Sequence, residues 1–427
     1  MFESKTWIER IFWGIIVSIS IGGFIATTTL EIIKLAREPT ATSISLTREK
    51  ELNFPAVTIC SLSLFNVTTI SQGGGDGNAV IPRDLLDVIF GGSIPQCKRA
   101  ANMLANYTQV NYSWGELLDV AKSDADGLIV GCTYAGKECS SSDFKPVTTA
   151  AGHCFTFNKP DSPNQPVLTA NGTGVRRGLQ LRLSPVDQLS SILGDQGFRV
   201  VIHNPDELPR PEAEGIVVGL DSMVYIGMKQ VNSHIKTKFS SGHQCRKEMN
   251  YDQDLSFPGY SSYSPSLCQT ECFLKHTADR CGCSEPFLYT PVSSKYKQLR
   301  KCTFPDMCCF IHAFEEARES CECLPKCESV EHTFTVSSSS VPKGEPVGVN
   351  VFYESLILET RMTTDSYTPW ILISDIGGNT ALFLGFSLLS AVELMLLGIG
   401  LVKDAATHAG SCRKIKSKMN HGSECYT

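Results

Sequence analysis

The sequence predicts a membrane protein of mixed α+β class, with two transmembrane helices flanking one large, disulfide-rich ectodomain. Three observations carry this expectation. Long apolar runs stand near both ends of the 427-residue chain. Sixteen of its 18 cysteines, Cys60 through Cys327, fall between those runs, and only Cys412 and Cys425 follow the second. Four N-x-[ST] sequons, at Asn66, Asn106, Asn111 and Asn171, share the same interval. Disulfides persist in oxidising compartments and sequons are glycosylated there, so the middle of the chain reads as extracellular.

The first run begins at Trp7. Glu9 and Arg10 form a charge pair near its start, and Ile11 to Leu30 is uncharged. At about 1.5 Å per residue this crosses a hydrocarbon core of about 30 Å. A cleaved signal peptide is the rival reading. The run is long for a signal h-region, however, and no clean A-x-A site follows it.

The second run, Trp370 to Val402, is apolar enough to insert but is not an inert anchor. It carries Asp375, Glu393 and the glycines 377, 378, 385, 398 and 400. A carboxylate at the helix centre costs on the order of 3 kcal/mol in lipid, so it faces protein or water. Glycines alone would indicate close helix packing. Together with Glu393 and the Gly-x-Ser sequence at 385–387 they indicate a pore. The basic cluster Arg413, Lys414, Lys416 and Lys418 follows, and Lys5 and Arg10 precede, so the positive-inside rule places both termini in the cytoplasm. The expected organisation is a short cytoplasmic N-terminus (1–6), a first span (7–30), an ectodomain (31–369), a second span with the pore (370–402) and a cytoplasmic tail (403–427).

Within the ectodomain, Ala56–Cys60, Gly178–Leu183, Phe198–Ile202 and Val347–Phe352 read as strands, and Pro82–Phe90 and Phe310–Arg318 as helices. The glycine-rich 73–77 segment and Ser337–Ser340 read as surface loops. Cys268 and Cys272 are four apart; Cys321 and Cys323 are two apart. Four helical residues advance about 6 Å and two extended residues about 6.6 Å. A helix beside an antiparallel extended segment can therefore be bridged at both rungs, Cys268–Cys323 and Cys272–Cys321, with Cys245–Cys327 as the next rung outward. Inside the loop, Cys283 meets Cys302, and Cys281 meets Cys309, or Cys308 in its place. Such rungs satisfy the Cα separations a disulfide needs. Zinc is the rival, but no paired C-x2-C knuckles are present.

Other function classes find little support. A net charge of -6 with one small basic cluster argues against nucleic acid as a partner. No G-x-S-x-G elbow, H-E-x-x-H motif or P-loop occurs, and the histidines form no ligand-spaced group, so no enzyme, metal or cofactor is expected.

Several stretches, in order, resemble the degenerin/epithelial sodium channel family, which includes acid-sensing and peptide-gated channels. Phe54-Pro-Ala-Val-Thr-Ile-Cys60 is similar to the segment after that family's first span. Residues 132–158, Gly197–Asp206, Tyr263–Cys268 and Cys281-Gly-Cys283 resemble ectodomain blocks. Asp375-Ile-Gly-Gly, Leu382–Ser390 and Glu393 resemble its second span. The resemblance covers both spans and most of the ectodomain. It implies a trimer, here a homotrimer or heterotrimer, whose ectodomains are shaped as palm, finger, knuckle, β-ball and thumb, the thumb at about 245–330. It also implies the pairs Cys60–Cys154 and Cys132–Cys139 and supports the ladder above, taken with Cys281–Cys309, and it leaves Cys97 and one of Cys308 or Cys309 over.

The resemblance further implies an amiloride-sensitive, sodium-selective, ligand- or mechanically gated channel of the plasma membrane. Gly385-Phe386-Ser387 would form the selectivity constriction, with Na+ as permeant ion. Glu393 would add a ring of carboxylates, or else hydrogen-bond between helices. Asp375 would stand at the outer mouth, attracting cations or capping the helix. The expected partners are two further subunits and the lipid bilayer, with an extracellular peptide or small ligand left open.

Departures from the family pattern are also visible. The His-Gly pair before the first span is absent. So are a histidine in 31–53 and an Asp shortly after Glu393, and the segment 327–349 is short, which predicts a reduced knuckle helix. The alternative from another class is a non-conducting, cysteine-rich receptor or regulatory subunit, which has no use for the Gly-x-Ser break or Glu393 at membrane depth.

Overall fold

The computed structural model describes residues 7–62, 124–149, 152–161, 165–184, 196–237, 244–246, 263–284, 299–302, 306–387 and 389–403. The chain divides into two compact units, one of residues 1–41, 237–242 and 364–427 and one of 42–236 and 243–363.

The smaller unit is built on helices. Helix α1 spans Trp7–Ala36, and no residue in it is buried within the chain. It is the one described helix that is long and apolar enough by itself to cross a membrane. It runs past the expected end at Leu30 because Glu31 and Lys34 are three apart, pair at 3.7 Å and support another helical turn. Near the other end of the unit stand a helix over Pro369–Leu384 (α6) and one over Leu389–Lys403 (α7). Those two pass the same test together but are bent by 86° at the break between them. Gly23 of α1 faces Phe383 of α6 so closely that a Cβ there would sit 2.6 Å from the ring, so the missing side chain is what lets these helices approach.

The larger unit holds two large sheets and two two-stranded ones. Its strands are β1 (Thr40–Arg48), β2 (Leu52–Asn53), β3 (Ala56–Ser61), β4 (Ile129–Tyr134), β5 (Lys137–Cys139), β6 (Phe144–Thr149), β7 (Gly152–Phe157), β8 (Thr169–Ala170) and β9 (Leu179–Leu183). After these come β10 (Gly197–His203), β11 (Ile216–Gly219), β12 (Ser222–Lys236), β13 (Cys283–Ser284), β14 (Arg300–Lys301), β15 (Glu328–Ser340), β16 (Val347–Tyr353) and β17 (Ile357–Asp365). One large sheet runs β1-β17-β12-β16-β9-β4-β5, with β15 on β12; the other runs β11-β10-β3-β7-β6, and the two-stranded sheets pair β2 with β8 and β13 with β14. Most pairs are antiparallel, but β12 and β16 run parallel. Short helices α2 (Ala125–Leu128) and α3 (Pro211–Glu214) join strands.

The core is continuous across both large sheets. Phe54, Ile59, Phe198, Leu181, Ile226, Val351 and Tyr353 belong to one buried cluster. Strands β3, β10 and β16 are apolar at nearly every position and almost wholly buried, as strands covered on both faces must be.

Two expectations need correction. Ser337–Ser340 is not a loop but the end of β15, where Ser337 to Ser340 pair with Tyr225 to Ser222 of β12. The serines are poor strand formers, and the long template strand beside them supplies the extended conformation. No helix interrupts 328–353; β15 and β16 are joined by a turn through Gly344, at φ +87°. The expected helix at Pro82–Phe90 and the glycine run at 73–77 lie outside the described residues.

Cysteines close the remaining region. Helix α4 (Pro265–Cys281) starts on Ser264, whose hydroxyl accepts from Leu267 N at 3.2 Å, and stops at Gly282 in the left-handed region. Helix α5 covers Met307–Ser320, wider than the expected Phe310–Arg318. Phe273 of α4 meets Phe310 of α5 edge-on at 5.1 Å.

Candidate functional site

The break between α6 and α7 is set by three residues. Helix α6 opens on Thr368, whose hydroxyl accepts from Ile371 N, with Pro369 at its first position. It closes at Gly385, whose φ of +64° is left-handed and whose N–H reaches Ala381 O at 3.0 Å. That conformation is the usual glycine stop of a helix. Two residues on, Ser387 begins the next helix. Its hydroxyl accepts from Ser390 N at 3.3 Å, its carbonyl accepts from Ala391 N at 3.1 Å, and its own N–H reaches the Ser390 hydroxyl at 3.4 Å.

Gly385-Phe386-Ser387 is therefore a stop and a start in immediate succession. The last turn of α6 leaves carbonyls without helical partners, and these carry the negative end of its dipole. Oxygen groups are thus concentrated where backbone leaves the helix, which is the chemistry that coordinates a partly dehydrated cation. Glu393 follows on α7, six residues past Ser387 or roughly 9 Å along a helix axis, and its side chain is exposed on the single chain. Asp375 is six residues past the start of α6, nearly two turns in, and accepts a hydrogen bond from the Tyr367 hydroxyl at 2.7 Å.

The structure brings together all seven expected cysteine pairs. Cys60 and Cys154 face each other across β3 and β7, and Cys132 and Cys139 across β4 and β5, with Cα separations of 4.4 and 5.0 Å. These are directly opposed residues of antiparallel ladders, a reason that spacing along the chain could not reveal. The rungs Cys268–Cys323 and Cys272–Cys321 have Cα separations of 5.9 and 6.1 Å, joining α4 to the extended segment after α5. Cys245–Cys327, Cys281–Cys309 and Cys283–Cys302 complete the set at 4.9, 5.8 and 5.0 Å. Cys308 is itself disulfide-bonded. Cys97 lies outside the described residues, as do Asn66, Asn106 and Asn111; Asn171 is described and exposed. Cys272, His276 and Cys321 lie at metal-ligand spacing, but both sulfurs are spent in one disulfide and offer no thiolate.

Sequence reasoning missed two buried polar groups, one on each large sheet. His203 of β10 is buried, with Nδ1 2.8 Å from Asn204 O and Nε2 2.8 Å from Thr58 Oγ1. A carbonyl only accepts, so Nδ1 carries the proton and the Thr58 hydroxyl donates to Nε2. Thr58 in turn lies 2.8 Å from the Thr156 hydroxyl. On β15, His332 Nε2 is 3.3 Å from the Tyr353 hydroxyl, which donates to Asn53 O at 2.7 Å. Burial lowers both histidines to a pKa of about 4, against the pull of Glu207, which raises both. Glu207 itself is paired with Lys326 at 2.9 Å. Nothing in the positions of His203 and His332 along the chain signals that one carboxylate, Glu207, acts on both.

Comparison with known proteins gives a consistent picture. The sequence profile described as amiloride-sensitive sodium channel matches residues 1–397. The chain is 24% identical to acid-sensing ion channel 1 of Gallus gallus, over 97% of this chain and 83% of the relative. It is 24% identical to the bile acid-sensitive ion channel of Homo sapiens, over 92% and 81% respectively. With degenerin deg-1 of Caenorhabditis elegans it shares 26% identity, over 64% of this chain and 38% of the relative.

Proposed function

The chain belongs to the amiloride-sensitive sodium channel family, the degenerin/epithelial sodium channel family, and from that premise we propose how its structure conducts. It is a gated, sodium-type cation channel subunit of the plasma membrane and not an enzyme. In the proposed reading α1 is the first span and the α6–α7 pair the second, with both termini cytoplasmic and the cysteine-rich unit outside. Three copies surround one pathway, each contributing Gly385-Phe386-Ser387 to a constriction and Glu393 to a ring of carboxylates beyond it.

The observation that carries this reading is the helix stop at Gly385 followed at once by the helix start at Ser387. In lipid, backbone leaves helical pairing only where protein or a water-filled path satisfies its polar groups. A break at membrane depth therefore belongs on the wall of a pathway. The expected permeant ion is Na+, which needs no cofactor. The gating stimulus is proposed as an extracellular ligand, a peptide or small molecule, or as membrane force.

Expression of the full chain in oocytes tests the reading. An inward sodium current blocked by amiloride is the expected result. Surface-delivered protein that passes no current under acid, peptides or pressure would favour the non-conducting receptor instead. Single-molecule counting of labelled subunits tests the number three.

A further inference from the structure

Resting on the reading of α6 as a pore helix, we propose that Tyr367 is a positioning residue that clamps this helix to α1 and sets how readily the pathway opens.

The clamp has parts on both helices. Tyr367 precedes the Thr368 cap of α6 and is 3% exposed. Its hydroxyl donates to Asp375 Oδ2 at 2.7 Å, closing a loop over the first turns of the helix. The opposite side of its ring is covered from α1, where the Lys34 ammonium stands 4.3 Å from the ring centroid. Lys34 also pairs with Glu31, one turn earlier on α1. Beside these contacts, Ser366 N donates to Pro39 O at 2.8 Å, so the chain leaving α1 is tied to the chain entering α6. The Lys34 cation and the Ser366–Pro39 hydrogen bond link the two helices, and the Asp375 carboxylate fixes the ring on α6.

A second acceptor makes the clamp a two-position device. Burial raises the Tyr367 phenol, and the Glu31 and Asp375 carboxylates both add to that effect, so the hydroxyl keeps its single proton while facing two carboxylates. It donates to Asp375. Glu31 stands beside the same hydroxyl as a second acceptor, with the Lys34 ammonium 3.7 Å from its Oε2. One phenol proton cannot serve two carboxylates at full strength, so a small rotation of Tyr367 trades the Asp375 contact for a closer one to Glu31. Holding Asp375 is the resting position; turning to Glu31 frees the outer turns of α6 to move.

The test is a double-mutant cycle on the full chain, using Tyr367→Phe, Asp375→Asn and the pair. It is read as the thermal midpoint of purified protein in detergent and as the standing, amiloride-blocked sodium current in oocytes. Each single variant is expected to lower the midpoint and to raise the standing current about tenfold, in keeping with loss of one hydrogen bond to a charged group. The pair is expected to match either single variant, and Tyr367→Phe is expected to leave the reversal potential unchanged. Additive midpoints would overturn the clamp. A shifted reversal potential in Tyr367→Phe without a raised standing current would overturn its role in opening. Absence of current from every version, with surface protein present, would sink the pore reading, while the midpoints would still decide whether the clamp exists.

Discussion

Cys60 on β3 and Cys154 on β7 lie directly opposite one another, 4.4 Å apart at Cα, in the middle of the five-stranded sheet. Both are fully buried, so the bridge lies inside the sheet stack and closes a loop of 94 residues. A cross-link over a loop of that length typically contributes about 2–4 kcal/mol by restricting the unfolded chain. Replacing both residues by Ser is expected to lower stability by about that amount and to reduce surface delivery. Denaturant titration of the purified protein with and without the bridge checks it; equal midpoints would show that the strand ladder alone holds this region.

Gly385 and Ser387 should fail in different ways. At φ +64° an alanine is strained by roughly 1 kcal/mol, although its Cβ would meet nothing within 4 Å of the chain. Gly385→Ala is therefore expected to move the break and shift the sodium-to-potassium reversal potential. Ser387→Ala removes the cap of α7, worth about 1 kcal/mol, and the hydroxyl beside the break. Its reversal potential should shift as well, and Ser387→Thr, which keeps the hydroxyl, should restore part of it. Unchanged reversal potentials in both would remove the constriction from 385–387.

His203 and His332 give the larger unit a defined acid limit. Each is held neutral, with a folded pKa of about 4 against an ordinary value of 6.5. A depressed histidine binds its proton more readily in the unfolded chain. The stability it contributes is present above about pH 6.5 and is lost as pH falls toward 4, at most about 3 kcal/mol for each ring. Because the two rings repel when charged, they will not titrate independently. Thermal midpoints measured from pH 7.5 to 4.5 should fall, and His332→Gln should flatten the slope. An unchanged slope in that variant would place the acid sensitivity elsewhere.

Asn171 tests the side of the membrane on which the larger unit lies. It is exposed in an Asn-Gly-Thr sequon between β8 and the Leu179 strand. Asn171→Gln is expected to lose one glycan step on a gel after expression in animal cells. No step at any of the four sequons would contradict an extracellular placement.

The cysteine ladder shows how far the sequence reached. Cys268 and Cys272 against Cys321 and Cys323 were legible because both partners sit on regular local geometry, where residue spacing converts directly to distance. Strands β3, β10 and β16 were legible from their largely apolar runs, and β9 from the alternation of Leu with polar residues. Ser337–Ser340 was not, since its conformation comes from β12 and not from its own residues. In the sequence Trp370 to Val402 is one apolar run, whose glycines point to a break without fixing it. Only the cap contacts of Gly385 and Ser387 show that one helix ends and another starts there.

The sequence by itself determined where apolar and oxidised segments lie, which residues stop a helix, and which family the chain resembles. These are properties of composition and short-range spacing. Tertiary structure alone showed that Cys60 and Cys154 are opposed in one strand ladder, that Glu207 acts on both His203 and His332, and that Tyr367 holds Asp375 while Lys34 covers its ring. Each of these joins residues whose separation is set by strand register or by helix approach, and such long-range pairings are fixed only when the whole core packs.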